Sequence, residues 1–230
     1  MKLILRYGIL AGGVFLLCFG IAFITKAGLG TSPISSIPYT LSLIVPRISM
    51  GTFVVAMNLA LLTAQWVLLR NKTGEIMGRP SGKAITPGEF VIQMVISVAM
   101  GYGVDFSLFL LKWIAPAAYW QNLLFLIAGI LIMALGIYIQ LLANVAMAPG
   151  DAFVRAVAAV TGKPFSRIRV ISDSTMVSIA AILCLIFLHA LTGVREGTVI
   201  CALLTGNVIK VYKMIFERIT GKGSGQKEPR

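Results

Sequence analysis

Residues 28–33 read Gly28-Leu29-Gly30-Thr31-Ser32-Pro33 and run on through Ile34 to Pro46, with Pro38 inside. A second stretch reads Ala148-Pro149-Gly150-Asp151 and runs on from Ala152 to Gly162, with Arg155 inside. Both are apolar enough for a membrane, and both are interrupted by Gly and Pro. Ten residues separate Asp151 from Gly162. As a helix that is about 15 Å, half the hydrocarbon thickness of a bilayer. These segments predict helices that enter the membrane without crossing it.

Around them lie six nearly uncharged runs of spanning length: 5–25, 50–69, 90–111, 121–143, 171–189 and 197–215. The whole chain of 230 residues is 58% hydrophobic and 12% charged, with a mean hydropathy of +0.92. Soluble domains carry about 25% charged residues, so a soluble enzyme is excluded. Disorder is excluded by the abundance of large apolar side chains. Cys18, Cys184 and Cys201 all fall in apolar runs, with no metal-binding spacing and no even disulfide set. The chain reads as an all-α polytopic membrane protein.

The two broken segments are copies of one another. Sliding the chain by 116 residues pairs Leu10 with Leu126, Gly13 with Gly129, Gly20 with Gly136 and Pro33 with Pro149. The same offset continues through Val54/Val170 and Leu69/Leu185 without a gap. Each copy then holds three spanning helices and one short broken, re-entrant element. Three crossings is an odd number, so the second copy enters the membrane upside down, giving two inverted-topology repeats. The expected limits are 1–112 for the first repeat, 113–216 for the second and 217–230 for a basic tail.

Charge placement sets the orientation. The net charge of +12 comes from 20 basic and 8 acidic residues. With six crossings and both termini cytoplasmic, only Lys26, Arg47, Lys112 and Arg195 fall outside, leaving sixteen basic residues inside. Eight crossings would leave fourteen, so the positive-inside rule favours six. Basic residues clustered at segment ends argue against a nucleic-acid partner. The tail is expected to touch anionic headgroups at about 1 kcal/mol per basic residue.

Three acids, Asp105, Asp151 and Asp173, are flanked by apolar sequence. Such residues cost about 2.5–3.5 kcal/mol each to insert, and they mark either pathways or pairings. Asp151 and Arg155 stand at i, i+4, the spacing of a local ion pair. Asp105 is a coupling candidate or a helix-end residue. Pro33 and Pro149 read as first-turn prolines of short helices, whose free N–H groups make each start electropositive. Thr31 and Ser32 add neutral hydrogen-bonding groups in the first copy, and Asp151 offsets the dipole in the second. Thr31, Ser32, Pro33, Pro149, Gly150, Asp151 and Asp173 are therefore the candidate ligand-binding residues. Gly8/Gly12 and the mirrored Gly13/Gly20 and Gly129/Gly136 are read as helix-packing positions.

The run Lys26-Ala27-Gly28-Leu29-Gly30-Thr31-Ser32-Pro33 with Met50-Gly51-Thr52-Phe53 resembles the first half of YczE-like proteins, in the YczE/YyaS/YitT group. Ala148-Pro149-Gly150-Asp151 and Gly193-Val194-Arg195-Glu196-Gly197-Thr198 resemble its second half. The resemblance implies a multi-pass protein of the bacterial cytoplasmic membrane and carries no functional residues over. Gly101-Tyr102-Gly103-Val104-Asp105 is similar to the motif of intramembrane aspartic proteases, but that chemistry needs the aspartate directly after the second glycine and a second aspartate facing it, and here Val104 intervenes. The chain is thus expected not to be an enzyme and to need no cofactor or metal.

The expected function is secondary transport or export of a small molecule at a midplane site between the broken helices, proton-coupled if coupled at all. Its partners would be that substrate, the bilayer and a second copy of the chain in a homo-oligomer. The alternatives are a membrane scaffold, or a permease subunit served by a separate ATPase. Because 70–89 carries four basic residues, a Ser81→Cys variant should resist an impermeant thiol reagent in intact cells. Ready labelling would overturn the six-crossing topology.

Overall fold

A computed structural model describes residues 3–70, 87–114, 116, 118–143, 145 and 147–219. The basic loop at 71–86 and the tail from 220 onward, with the orientation and headgroup expectations attached to them, lie outside the described residues. Among the described residues there are eight α-helices and no strand: α1 (Leu3–Lys26), α2 (Ser36–Ile44), α3 (Met50–Arg70), α4 (Pro87–Leu110), α5 (Tyr119–Ala143), α6 (Pro149–Thr161), α7 (Phe165–Leu183) and α8 (Glu196–Ile219). A 3-10 turn, Pro33–Ser35, leads straight into α2, and a π-helical turn, Cys184–Leu188, extends α7. Six of these helices are long and apolar enough to cross a membrane. The two short ones, α2 and α6, are the segments broken by Gly and Pro.

Element order repeats at the offset seen in the sequence: α1 matches α5, the 3-10/α2 unit matches α6, and α3 matches α7 with its π turn. The centre of the molecule is the seam between α1 and α5, which run antiparallel. A Cβ on Gly20 would fall on the Met133 backbone, and one on Gly136 would fall on the Leu17 backbone. Gly13 lies against Gly136 O, and Gly129 against Gly20 O. Without a hydrophobic drive between helices in lipid, such close backbone packing is the available source of association. Gln140, buried in this seam, donates from Nε2 to Gly13 O at 3.3 Å. Gly8 and Gly12, by contrast, pack against nothing among the described residues.

The short helices are exchanged between halves. α2 packs on α3 and also on α7, while α6 packs on α7 and also on α3. Thr40 on α2 pairs with the Cys184 thiol at the far end of α7. α6 stops at Gly162, which takes φ 69° and donates its N–H to Ala158 O at 2.9 Å. That left-handed conformation is one glycine adopts without steric cost.

Asp105 serves the fold. Its Oδ1 accepts the Gly51 N–H at 2.7 Å, so a carboxylate on α4 caps the first turn of α3. Gly51 and Gly101 meet backbone to backbone beside it. Asp105 does not line either cavity described below.

Gly20→Val would drive a side chain into Met133. We expect it to lower stability in detergent by about 2–3 kcal/mol, as overpacking does, while Gly12→Val stays within about 0.5 kcal/mol. Thermal unfolding of the two purified variants checks the difference.

Candidate functional site

Arg169 organises the polar centre. It lies one turn into α7, and its guanidinium reaches two carboxylates at once. Nη1 donates to Asp151 Oδ1 in the first turn of α6. Nε donates to Asp173 Oδ2, one turn further along α7, at 3.1 Å. The planar fork of arginine allows two acceptors to be held by one cation. The three side chains remain 19–30% exposed, because they border a cavity.

That cavity, of about 430 Å³, lies where the two short helices begin. Ser32 and Pro33 line it from the first half, with Asn58 of α3; Gly150, Asp151, Arg169 and Asp173 line it from the second. Ile34 fills the space that a side chain on Gly150 would need, so the two helix starts touch directly. Ser32 precedes the 3-10 turn in extended backbone, φ −65° and ψ 149°, and its hydroxyl donates to Ser35 Oγ at 3.0 Å. Most of the remaining wall is apolar, from Leu17 and Ile21 of α1 to Met133 and Ile137 of α5.

A second cavity of about 230 Å³ adjoins the first and is lined by Glu89, Gln93, Gln140, Asp151 and Arg155, with Ile137 and Ala148. Ile137, Gln140, Ala148 and Asp151 border both. Asp151 therefore stands between an apolar chamber and a polar vestibule. The vestibule lies at the end of the molecule where α4 starts and α5 stops.

At the opposite end the halves are tied together. Leu29 O accepts the Gly197 N–H at 2.9 Å, Thr31 donates its N–H to Thr198 Oγ1 at 3.2 Å, and Arg195 Nη1 donates to Gly28 O at 3.1 Å. Gly30 takes φ 109° here, and a Cβ on it would strike Thr198. Only glycine fits that crossing.

Five of the sequence-predicted residues, Ser32, Pro33, Gly150, Asp151 and Asp173, thus line one cavity although up to 141 positions apart. Thr31 and Pro149 are buried beside it without lining it; the Thr31 hydroxyl is paired with Thr25 at 3.1 Å. The expected Asp151–Arg155 pair is corrected. Asp151 is held by Arg169, and Arg155 projects, exposed, at the vestibule. The i, i+4 spacing on α6 loses because Arg169 can satisfy two half-buried acids with one side chain, which offsets the desolvation cost of all three. Arg169 itself escaped sequence reading because the fifth apolar run was begun at 171, which left it in a loop. The signal that would have found it is its own i, i+4 spacing from Asp173. Asn58 and Gln140, single amides in apolar runs, were also passed over.

Residues 4–214 match the model of a family of unknown function, DUF6198. The chain belongs to that family. No curated protein and no solved structure matches it.

Arg169→Met should strand two carboxylates in an apolar setting and lower stability by about 3 kcal/mol or more, the cost of breaking a buried pair. Arg155→Ala should cost less than about 1 kcal/mol, as an exposed charge does. Equal losses for the two variants in detergent melts would show that Arg169 is not the partner of Asp151.

Proposed function

We propose that this membrane protein is a secondary transporter or exporter of a small molecule, with its site where the two short helices meet. The observation that carries the reading is the position of Asp151. It is held by Arg169, faces the chamber between the helix starts, and opens on its other side to the polar vestibule. One end of the path is accessible while the other is tied by Leu29–Gly197 and Thr31–Thr198. A chamber open at one end and closed at the other is what one state of an alternating-access cycle requires.

The charge count supports proton or cation coupling. Two carboxylates share one guanidinium, so full ionisation leaves an excess negative charge within that three-residue cluster, Lys210 being the other cation of the chamber lining. Binding a proton or a cationic group there relieves it. The first half supplies only neutral polar groups, Ser32, Ser35 and Asn58, to the same chamber.

The inverted duplication belongs to this proposal. α1 and α5 are equivalent at the 116-residue offset and run antiparallel. The contact of Gly13 with Gly136 becomes that of Gly129 with Gly20 when the halves are exchanged. The reciprocal packing of α2 and α6 follows the same exchange. Both support a pseudo-two-fold axis in the membrane plane, about which one half would rock against the other. Kinship with YczE-like proteins, placement in a bacterial cytoplasmic membrane and non-enzymatic action are parts of the same reading.

The scaffold alternative draws on one observation: both acids are already paired with Arg169. The two readings separate in proteoliposomes. Metabolite classes are screened by thermal shift, and each hit is tested for substrate-driven proton movement. Wild type should respond, and Asp173→Asn should remain folded while losing at least tenfold of the flux. Flux unchanged in Asp173→Asn, or no hit in any class, would favour the scaffold.

A further inference from the structure

The two halves of the molecule differ at one seam. α3 and α4 pack closely, through Gly51 against Gly101 and the Asp105 cap. Their counterparts α7 and α8 hardly touch. α8 leans mainly on α5, and only 6% of its apolar window is buried within the molecule. At the repeat offset Gly51 corresponds to Arg167, so the close backbone contact that shuts the first seam has no equivalent in the second.

The central cavity lies behind this open seam. Its wall includes α7 from Phe165 to Asp173 and α8 from Cys201 to Lys210. Two of its lining residues, Val170 on α7 and Leu203 on α8, are also 65% and 68% exposed. A residue that both lines a cavity and faces outward marks a lip. Val170 is the sixth residue of α7 and Leu203 the eighth of α8, and an apolar side chain that faces outward from a membrane-crossing helix there meets acyl chains. The chamber therefore has an apolar mouth toward the bilayer in addition to its polar vestibule. Behind the lips, Asp151 and Asp173 each have one carboxylate oxygen engaged by Arg169, and the neutral groups of Asn58, Gln140, Thr205 and Asn207 line the same chamber. The free carboxylate oxygens are acceptors only.

We propose that the substrate is an amphipathic molecule that enters sideways from the bilayer between α7 and α8. Its hydrogen-bond-donating head reaches Asp151 and Asp173, and its apolar tail lies between Val170 and Leu203. This rests on the transporter reading and specifies its substrate class. A tail that stays in contact with lipid needs no enclosed pocket, which is why a chamber of about 430 Å³ suffices for the head and the first part of the tail. Lys210 lines the same chamber from α8. Lys210 is exposed and lies in the second half of α8.

The test uses a cysteine on the far wall. Met57 lines the cavity from α3, and Met57→Cys is read by site-resolved mass spectrometry in reconstituted vesicles. Lipid-soluble N-cyclohexylmaleimide should modify Cys at 57 at least tenfold faster than a charged methanethiosulfonate applied to either face. Adding Val170→Trp and Leu203→Trp should slow the maleimide at least fivefold and leave the charged reagent unchanged. If that double change lowers the melting temperature, Leu203→Phe alone serves as the plug. Dodecylammonium should protect the site, and dodecyl sulfate, which has no donor, should not. A charged reagent that reacts as fast as the maleimide, a plug without effect, or equal protection by both amphipaths would overturn the proposal. Loss of flux with the lipid route intact would remove the transporter reading alone. Flux with no lipid route would remove this inference alone.

Discussion

A helix that stops halfway through a bilayer leaves backbone N–H and C=O groups where no water can reach them. α2 and α6, of nine and thirteen residues, are too short to cross a bilayer. Their ends must be enclosed by protein, and the rest of the architecture follows from that demand. Each short helix is clasped by the third helix of its own half and by that of the other. Where the two starts meet they are walled by α1 and α5, which can close on them because glycines bring the two backbones together. The cavity is what remains between two ends that cannot be covered by each other.

The polar cluster is a second consequence of the same setting. An aspartate in the first turn of α6 complements the dipole of that helix but needs a cation at this depth. Arg169 supplies it from α7, and Asp173 shares it. The cluster binds α6 to α7 and at the same time leaves carboxylate oxygens facing the chamber. One set of contacts thus holds the second short helix in place and gives the chamber its charge. The first half achieves a similar packing with Ser32, Ser35 and Asn58 and no charge.

The two ends of the path differ for an equally local reason. Backbone-to-backbone contact at Leu29–Gly197 needs two glycine-containing segments, 28–30 and 193–197, to approach closely. The vestibule end carries Glu89, Gln93, Gln140 and Arg155 instead. Charged and amide side chains favour water, so among the described residues that end is the polar one.

Hydropathy, the half-bilayer length of the broken segments and the 116-residue self-match were legible in the sequence, because spanning length and Gly/Pro breaks are local properties. So were five cavity residues: Ser32, Pro33, Gly150 and Asp151 at a repeated Gly/Pro break, and Asp173 as an acid flanked by apolar sequence. The identity of the partner of Asp151 was not legible. Sequence spacing offers Arg155 at i, i+4, and only the crossing of α6 over α7 brings Arg169 closer. The structural role of Asp105 was equally hidden, since its partner is a backbone N–H 54 positions away. Which glycines pack and which face outward was decided by tertiary contact too: Gly13 and Gly20 meet α5, while Gly8 and Gly12 meet nothing. Sequence determines which segments enter the membrane and how far they reach. The rotation of each helix about its axis, and hence which side chains share a cavity, is set by packing between segments distant in the chain.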